Sequence, residues 1–125
     1  MQYMEMTNKS VQEVVDSLKE VSSKYKYGIQ HIHNVTETLK AKGINLGNEC
    51  QIVDICNPIV AEQFLSEDMS LSIIMPCKIS VYTQDGETMI AMNSLVQLVD
   101  DINPDLIELA QEVQEQLLEI IDEIK

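Results

Sequence analysis

The chain has no arginine and no tryptophan, one phenylalanine, three prolines and four glycines in 125 residues. Each scarcity excludes something. Without Arg there is no bidentate fork for phosphate or guanine, and a net charge of −13 repels a polyphosphate backbone. Nucleic acid is therefore not an expected partner. No apolar run approaches the roughly 20 residues of a membrane span. The opening Met1-Gln2-Tyr3-Met4-Glu5-Met6 lacks a basic segment followed by an apolar core, so neither a membrane anchor nor a secretory signal is expected. The glycines (28, 43, 47 and 86) are scattered and build no phosphate-cradling loop. Three cysteines make an odd count in a chain large enough to fold without staples, which fits reduced thiols in a cytoplasm.

What is present is ordinary globular material, 45% hydrophobic and 23% charged. The length suits one domain over residues 1–125, with Ile, Leu, Val and Met filling the core. Charge is uneven: Asp100 to Lys125 holds nine acids and one Lys, whereas the first 99 residues hold twelve acids and seven Lys.

Gln2–Met6 reads as a short edge strand. Ser10-Val11-Gln12-Glu13 is a capping box, and Val11, Val14, Val15, Leu18 and Val21 form one helical stripe ending near Ser23 or Lys24. A strand over Tyr25–His33 is interrupted by Gly28, where a bulge or close backbone contact is expected. Asn34-Val35-Thr36-Glu37 starts a short helix that Lys42-Gly43 ends. Glu49–Cys56 reads as a buried strand, stopped by Asn57-Pro58, with Pro58 opening a helix to about Ser66. Leu71–Met75 is expected as a loop or short edge piece before Pro76. Lys78–Thr83 and Thr88–Met92 flank Asp85-Gly86 as a hairpin.

From Asn103 a cap, Pro104 and a stripe of Leu106, Leu109, Ala110, Val113, Leu117, Ile120, Ile121 and Ile124 predict an amphipathic helix over about 104–124. Like charges at Glu108/Glu112 and Glu115/Glu119 each cost about 0.2–0.5 kcal/mol. Burial of each large aliphatic side chain returns about 1.5–3 kcal/mol, so the helix forms if something covers it. A stripe this long exceeds what one small sheet is expected to cover, and part of it is expected to pack on a second subunit as a homodimer. The fold class is α+β: a two-layer sandwich with a mixed or mostly antiparallel sheet packed by helices. The core spans about 10–103 and the acidic helix closes the chain.

Three constellations can carry chemistry. His31-Ile32-His33 places two imidazoles on one strand face, half of a metal site or a solvated polar pair. Cys56-Asn57-Pro58 and Pro76-Cys77 put two thiols beside prolines at strand ends, for a reversible disulfide, a soft metal, or plain packing under the sheet. The N-terminus of the Pro58 helix is a reason for Cys56 to be the more reactive thiol. Met69, Met75, Met89 and Met92 surround the hairpin as core filler or a soft surface.

Five segments occur together: Tyr27-Gly28-Ile29-Gln30-His31-Ile32-His33; Ile52-Val53-Asp54-Ile55-Cys56-Asn57-Pro58; Ile74-Met75-Pro76-Cys77; Val81-Tyr82 with Asp85-Gly86; and Asn103-Pro104 before the acidic helix. In this order they resemble the domain-of-unknown-function family 302 over nearly the whole chain. The resemblance implies a small α+β domain, dimeric and from prokaryotic cytoplasm, with no established reaction and no catalytic residues to transfer. The chain has Met92-Asn93-Ser94 where that family often has an acidic residue followed by Pro. Cys50 lies outside the recurring pattern.

The function expected from these residues is a small-molecule or metal-binding module. Its pocket would be lined by His31, His33, Cys56, Asn57, Pro58, Pro76 and Cys77, with the histidines as metal ligands. The alternatives are a thiol redox or sulfur-handling protein using Cys56 and Cys77, and a structural interaction dimer. Neither a cofactor nor an enzymatic reaction can be named from these residues.

Overall fold

The computed structural model describes residues 2–125. Five strands form one sheet, β1 (Gln2–Thr7), β2 (Gly28–Asn34), β3 (Cys50–Cys56), β4 (Cys77–Gln84) and β5 (Glu87–Asn93), in the order β1-β5-β4-β3-β2. Every neighbouring pair is antiparallel, which resolves "mixed or mostly antiparallel" to the second. The helices are α1 (Val11–Lys24), α2 (Val35–Ala41), α3 (Pro58–Glu67), α4 (Leu95–Ile102) and α5 (Ile107–Ile124). The chain is thus α+β, with the sheet against a helical layer.

The alternation along the strands decides which side is covered. Val53 and Ile55 on β3, Ile79 and Val81 on β4, and Ile90 and Met92 on β5 are buried, and Val53 pairs with Ile79 as Val81 does with Ile90. On that side α1 buries Val11, Val14, Val15 and Leu18, and α5 buries Ala110, Val113, Leu117, Ile120, Ile121 and Ile124. The other side carries Met4, Met6, Met89, Ala91, Tyr82, Ser80, Ile52, Asp54, Lys78 and the two histidines. Among the described residues the short α2 leans over it, above Ile52.

Local signals explain most boundaries. Glu13 N–H donates to Ser10 Oγ at 3.1 Å and Ser10 N–H to Glu13 Oε1 at 3.2 Å, closing the capping box of α1. At the other end Tyr27 N–H reaches Ser22 O at 3.0 Å and Lys26 N–H reaches Ser23 O at 3.1 Å. These are the two bonds of a Schellman stop, with Lys26 at φ 65° where Gly is usual. This corrects the strand expected from Tyr25: those residues end the helix, and β2 starts only at Gly28. The register shift in β2 falls between Ile29 and His31, one step past the expected glycine. Gly43, at φ 79°, ends α2 as expected, and Asp85 and Gly86, both at positive φ, make the hairpin turn.

Three further differences stand out. Residues 69–74 form a 3-10 helix where a loop or edge piece was expected, with Asp68 capping it through Ser70 N–H. α4 was not anticipated, although Ser94 caps it by accepting from Gln97 N–H. The last helix begins as a separate 3-10 turn, Pro104–Leu106, and the bend lets α4 pack on α5. The stripe of α5 is covered within the chain by α1, α4 and the sheet, so the length of that stripe no longer calls for a second subunit.

Candidate functional site

At the end of the sheet, β3 stops at Cys56 and β4 starts at Cys77, which faces the helices because it pairs with Ile55. Asn57 terminates the strand and caps α3: its Oδ1 accepts from Ile59 N–H at 3.0 Å and Val60 N–H at 3.4 Å, with Pro58 in the first turn. The Met75–Pro76 peptide is cis. Cys56, Asn57, Pro76 and Cys77 line one narrow void of about 20 Å³ together with Tyr27 and Phe64. Beside it lies a cleft of about 240 Å³, which shares Met75, Pro76, Cys77 and Leu95 and is walled further by Ile73, Met92, Leu98 and Leu117. Lys78 and Asn93 supply polar groups at this cleft. Pro58 lines neither space.

All three cysteines are free thiols, half-buried. Burial pushes Cys77 up to about 11, and the neighbouring Cys56 raises it further in the same direction. Burial also raises Cys56. Burial therefore prevails over the lowering expected at Cys56 from the α3 N-terminus, whose first free N–H groups bond the Asn57 side chain. A thiolate is therefore scarce here near neutral pH. Tyr27, buried between the two sulfurs and α5, donates to Gln116 Oε1 at 2.8 Å; its burial first, then Cys77 and Cys56, raise its pKa.

The histidines lie on the other side of the sheet. β2 pairs His31 with Asp54 and His33 with Ile52, and β3 pairs Asp54 with Lys78. His33 Nε2 is 2.8 Å from Asp54 Oδ2, and Lys78 Nζ donates to Asp54 Oδ1 at 2.7 Å. The His31 and His33 rings meet edge to face with centroids 4.4 Å apart. Asp54 is 7% exposed. Burial opposes its charge, but the hydrogen bonds from Lys78 and then His33 outweigh that and hold its pKa below the usual carboxylate value. Among the described residues no three of His, Cys, Asp and Glu converge as a metal site. The sequence-level pocket thus separates: Cys56, Asn57, Pro76 and Cys77 stay together, while His31 and His33 join Asp54 and Lys78 instead.

Asp54 and Lys78 were missed as functional candidates. Their signal was an acid inside the apolar run Ile52-Val53-Asp54-Ile55, which demands a partner on the next strand.

The model of a domain of unknown function, DUF302, matches residues 3–124. A crystal structure titled as an uncharacterized conserved DUF302 protein from Bacillus stearothermophilus is similar at a TM-score of 0.94 and 29% identity, over 99% of this chain and 98% of that one. No curated protein matches the chain. Among the described residues no helix is long and apolar enough to cross a membrane.

Proposed function

The chain belongs to the DUF302 family of domains of unknown function, and we propose that it is a small-ligand-binding module. Its site is the cleft at the Cys-Asn-Pro and Pro-Cys end of the sheet. The observation that carries this reading is an apolar cleft of about 240 Å³ beside the two half-buried thiols, with Ile73 left 79% exposed beside it. The volume lies just under the roughly 300–1,000 Å³ of drug-sized pockets, so the ligand is compact. Ile, Met, Leu and Pro walls favour an apolar body.

The metal form of this reading has less support, because the histidines lie on the far side of the sheet from Cys77. Thiol chemistry has less support too, since both thiols are raised rather than lowered.

The test is thermal. Indole, as a compact apolar probe, raises the Tm of the wild-type protein by binding the folded state. Leu98→Trp, which fills the cleft from α4, removes that response while keeping a cooperative melt. An equal response in both proteins, or none in the wild type, contradicts the assignment.

A further inference from the structure

On the opposite side of the sheet lies a second hollow, of about 390 Å³, bounded by His33, Val35, Thr38, Leu39, Ile52 and Lys78. Its roof is α2. Val35, Thr38 and Leu39 share one face of this helix by their spacing, and that face is turned to Ile52, yet α2 buries none of its seven residues. A helix whose apolar side faces the sheet without reaching it leaves room for something else. The roof is held from its outer side: Thr36 Oγ1 donates to Asn48 O at 3.0 Å and accepts from Cys50 N–H at 2.8 Å.

The floor is polar at one end only. Asp54 holds Lys78 and His33 in place through its two oxygens, and both side chains remain about half exposed, 59% and 46%. Lys78 has three N–H donors and Asp54 takes one. His33 gives its Nε2–H to Asp54. The segment of sequence that carries α2 differs in charge from the rest of the chain. Between Tyr25 and Asn48 there are three lysines, Lys26, Lys40 and Lys42, against one acid, Glu37, in a protein of net charge −13.

We infer that this hollow is a second binding site, for a small amphipathic carboxylate, with its chain under α2 and its carboxylate on Lys78. Charge-assisted bonds to an ammonium already oriented by a buried partner cost little reorganisation. Asp54 is the positioning residue: it does not meet the ligand but fixes the ammonium that does. This hollow shares only Lys78 with the cleft on the helix side.

The experiment is an amide-shift titration with hexanoate, with hexanamide as the neutral probe of the same chain. Hexanoate is expected to move the amides of His33, Val35, Leu39, Ile52 and Lys78 saturably, and hexanamide to bind about tenfold more weakly or worse, the worth of one charged contact at about 1.4 kcal/mol. Lys78→Met keeps the apolar stem and leaves Asp54 bonded to His33, and is expected to reduce hexanoate affinity about tenfold. Thr38→Glu, at an exposed position on the roof, keeps the fold and repels the carboxylate. Equal affinities for hexanoate and hexanamide overturn the proposal. So does the absence of saturable shifts, or shifts confined to Met75–Cys77. Because Thr38→Glu leaves the indole response at the other cleft intact, failure here is distinguishable from failure there.

Discussion

The two sides of this sheet are built on opposite solutions to burial. On the helix side the buried strand positions are mostly apolar, and the desolvation that stabilises the core also raises the thiols at its end. On the other side a buried carboxylate is kept ionised by two flanking cations or donors, and apolar residues of the same side, Met4 and Met6 on the far edge strand and Leu39 on α2, remain partly or fully exposed. The difference teaches that the titratable and soft residues of this chain do not form one site. Burial quietens the thiols, whereas pairing keeps the carboxylate charged.

The comparison breaks most visibly by cutting side chains on each side. Leu117→Ala on α5, 1% exposed, is expected to cost about 2–5 kcal/mol in denaturant unfolding. Met6→Ala, 56% exposed on the open side, is expected to change stability by no more than about 0.5 kcal/mol. Comparable losses would mean that the open side is covered in solution, as a homodimer through that face would require.

Next in size is Asp54→Asn, expected to cost about 1–3 kcal/mol near neutral pH by leaving Lys78 and His33 without their shared acceptor. The pH dependence has a fixed sign. Asp54 titrates below its unfolded value in the fold, so its stabilisation is complete above the ordinary carboxylate range, about 3.9, and is lost as pH falls through the lower folded value. The gap in stability between wild type and Asp54→Asn is expected to narrow on acidification below that range. A gap that widens there contradicts the pairing.

A smaller, kinetic effect concerns the sulfurs. At pH 8, Cys56 and Cys77 are expected to alkylate with iodoacetamide more slowly in the folded protein than in urea, as read by mass spectrometry of the labelled peptides. Rapid labelling of Cys56 in the fold would restore the redox reading. Smallest is Lys26→Gly, expected to stabilise the protein by up to about 1 kcal/mol because Gly adopts φ 65° without strain.

Much of the fold was legible because local chemistry dictated it. Ser10 and Glu13 announce α1, Asn57-Pro58 announces α3, and Asp85-Gly86 turns the hairpin, each through bonds between near neighbours. What escaped was decided by a helix stop without glycine or by distant contacts. Tyr25–Tyr27 has strand-like residues, but Ser22 and Ser23 carbonyls take their amides to end a helix. Residues 95–102 carry a helical stripe that only makes sense once α5 lies beside it. The candidate site was half legible. The two proline-flanked cysteines do line one void. His31 and His33 were grouped with them by chemical kind alone, and strand register placed them opposite Asp54 and Ile52, across the sheet from Cys77.

The most direct measurement is an amide-shift map of the wild-type protein saturated with indole. The account predicts shifts concentrated at Ile73–Cys77, Met92, Leu95 and Leu98, with His31, His33 and Leu39 unmoved. A map centred on the histidines and α2, or spread evenly over the surface, would contradict a ligand site at the sulfur end of the sheet.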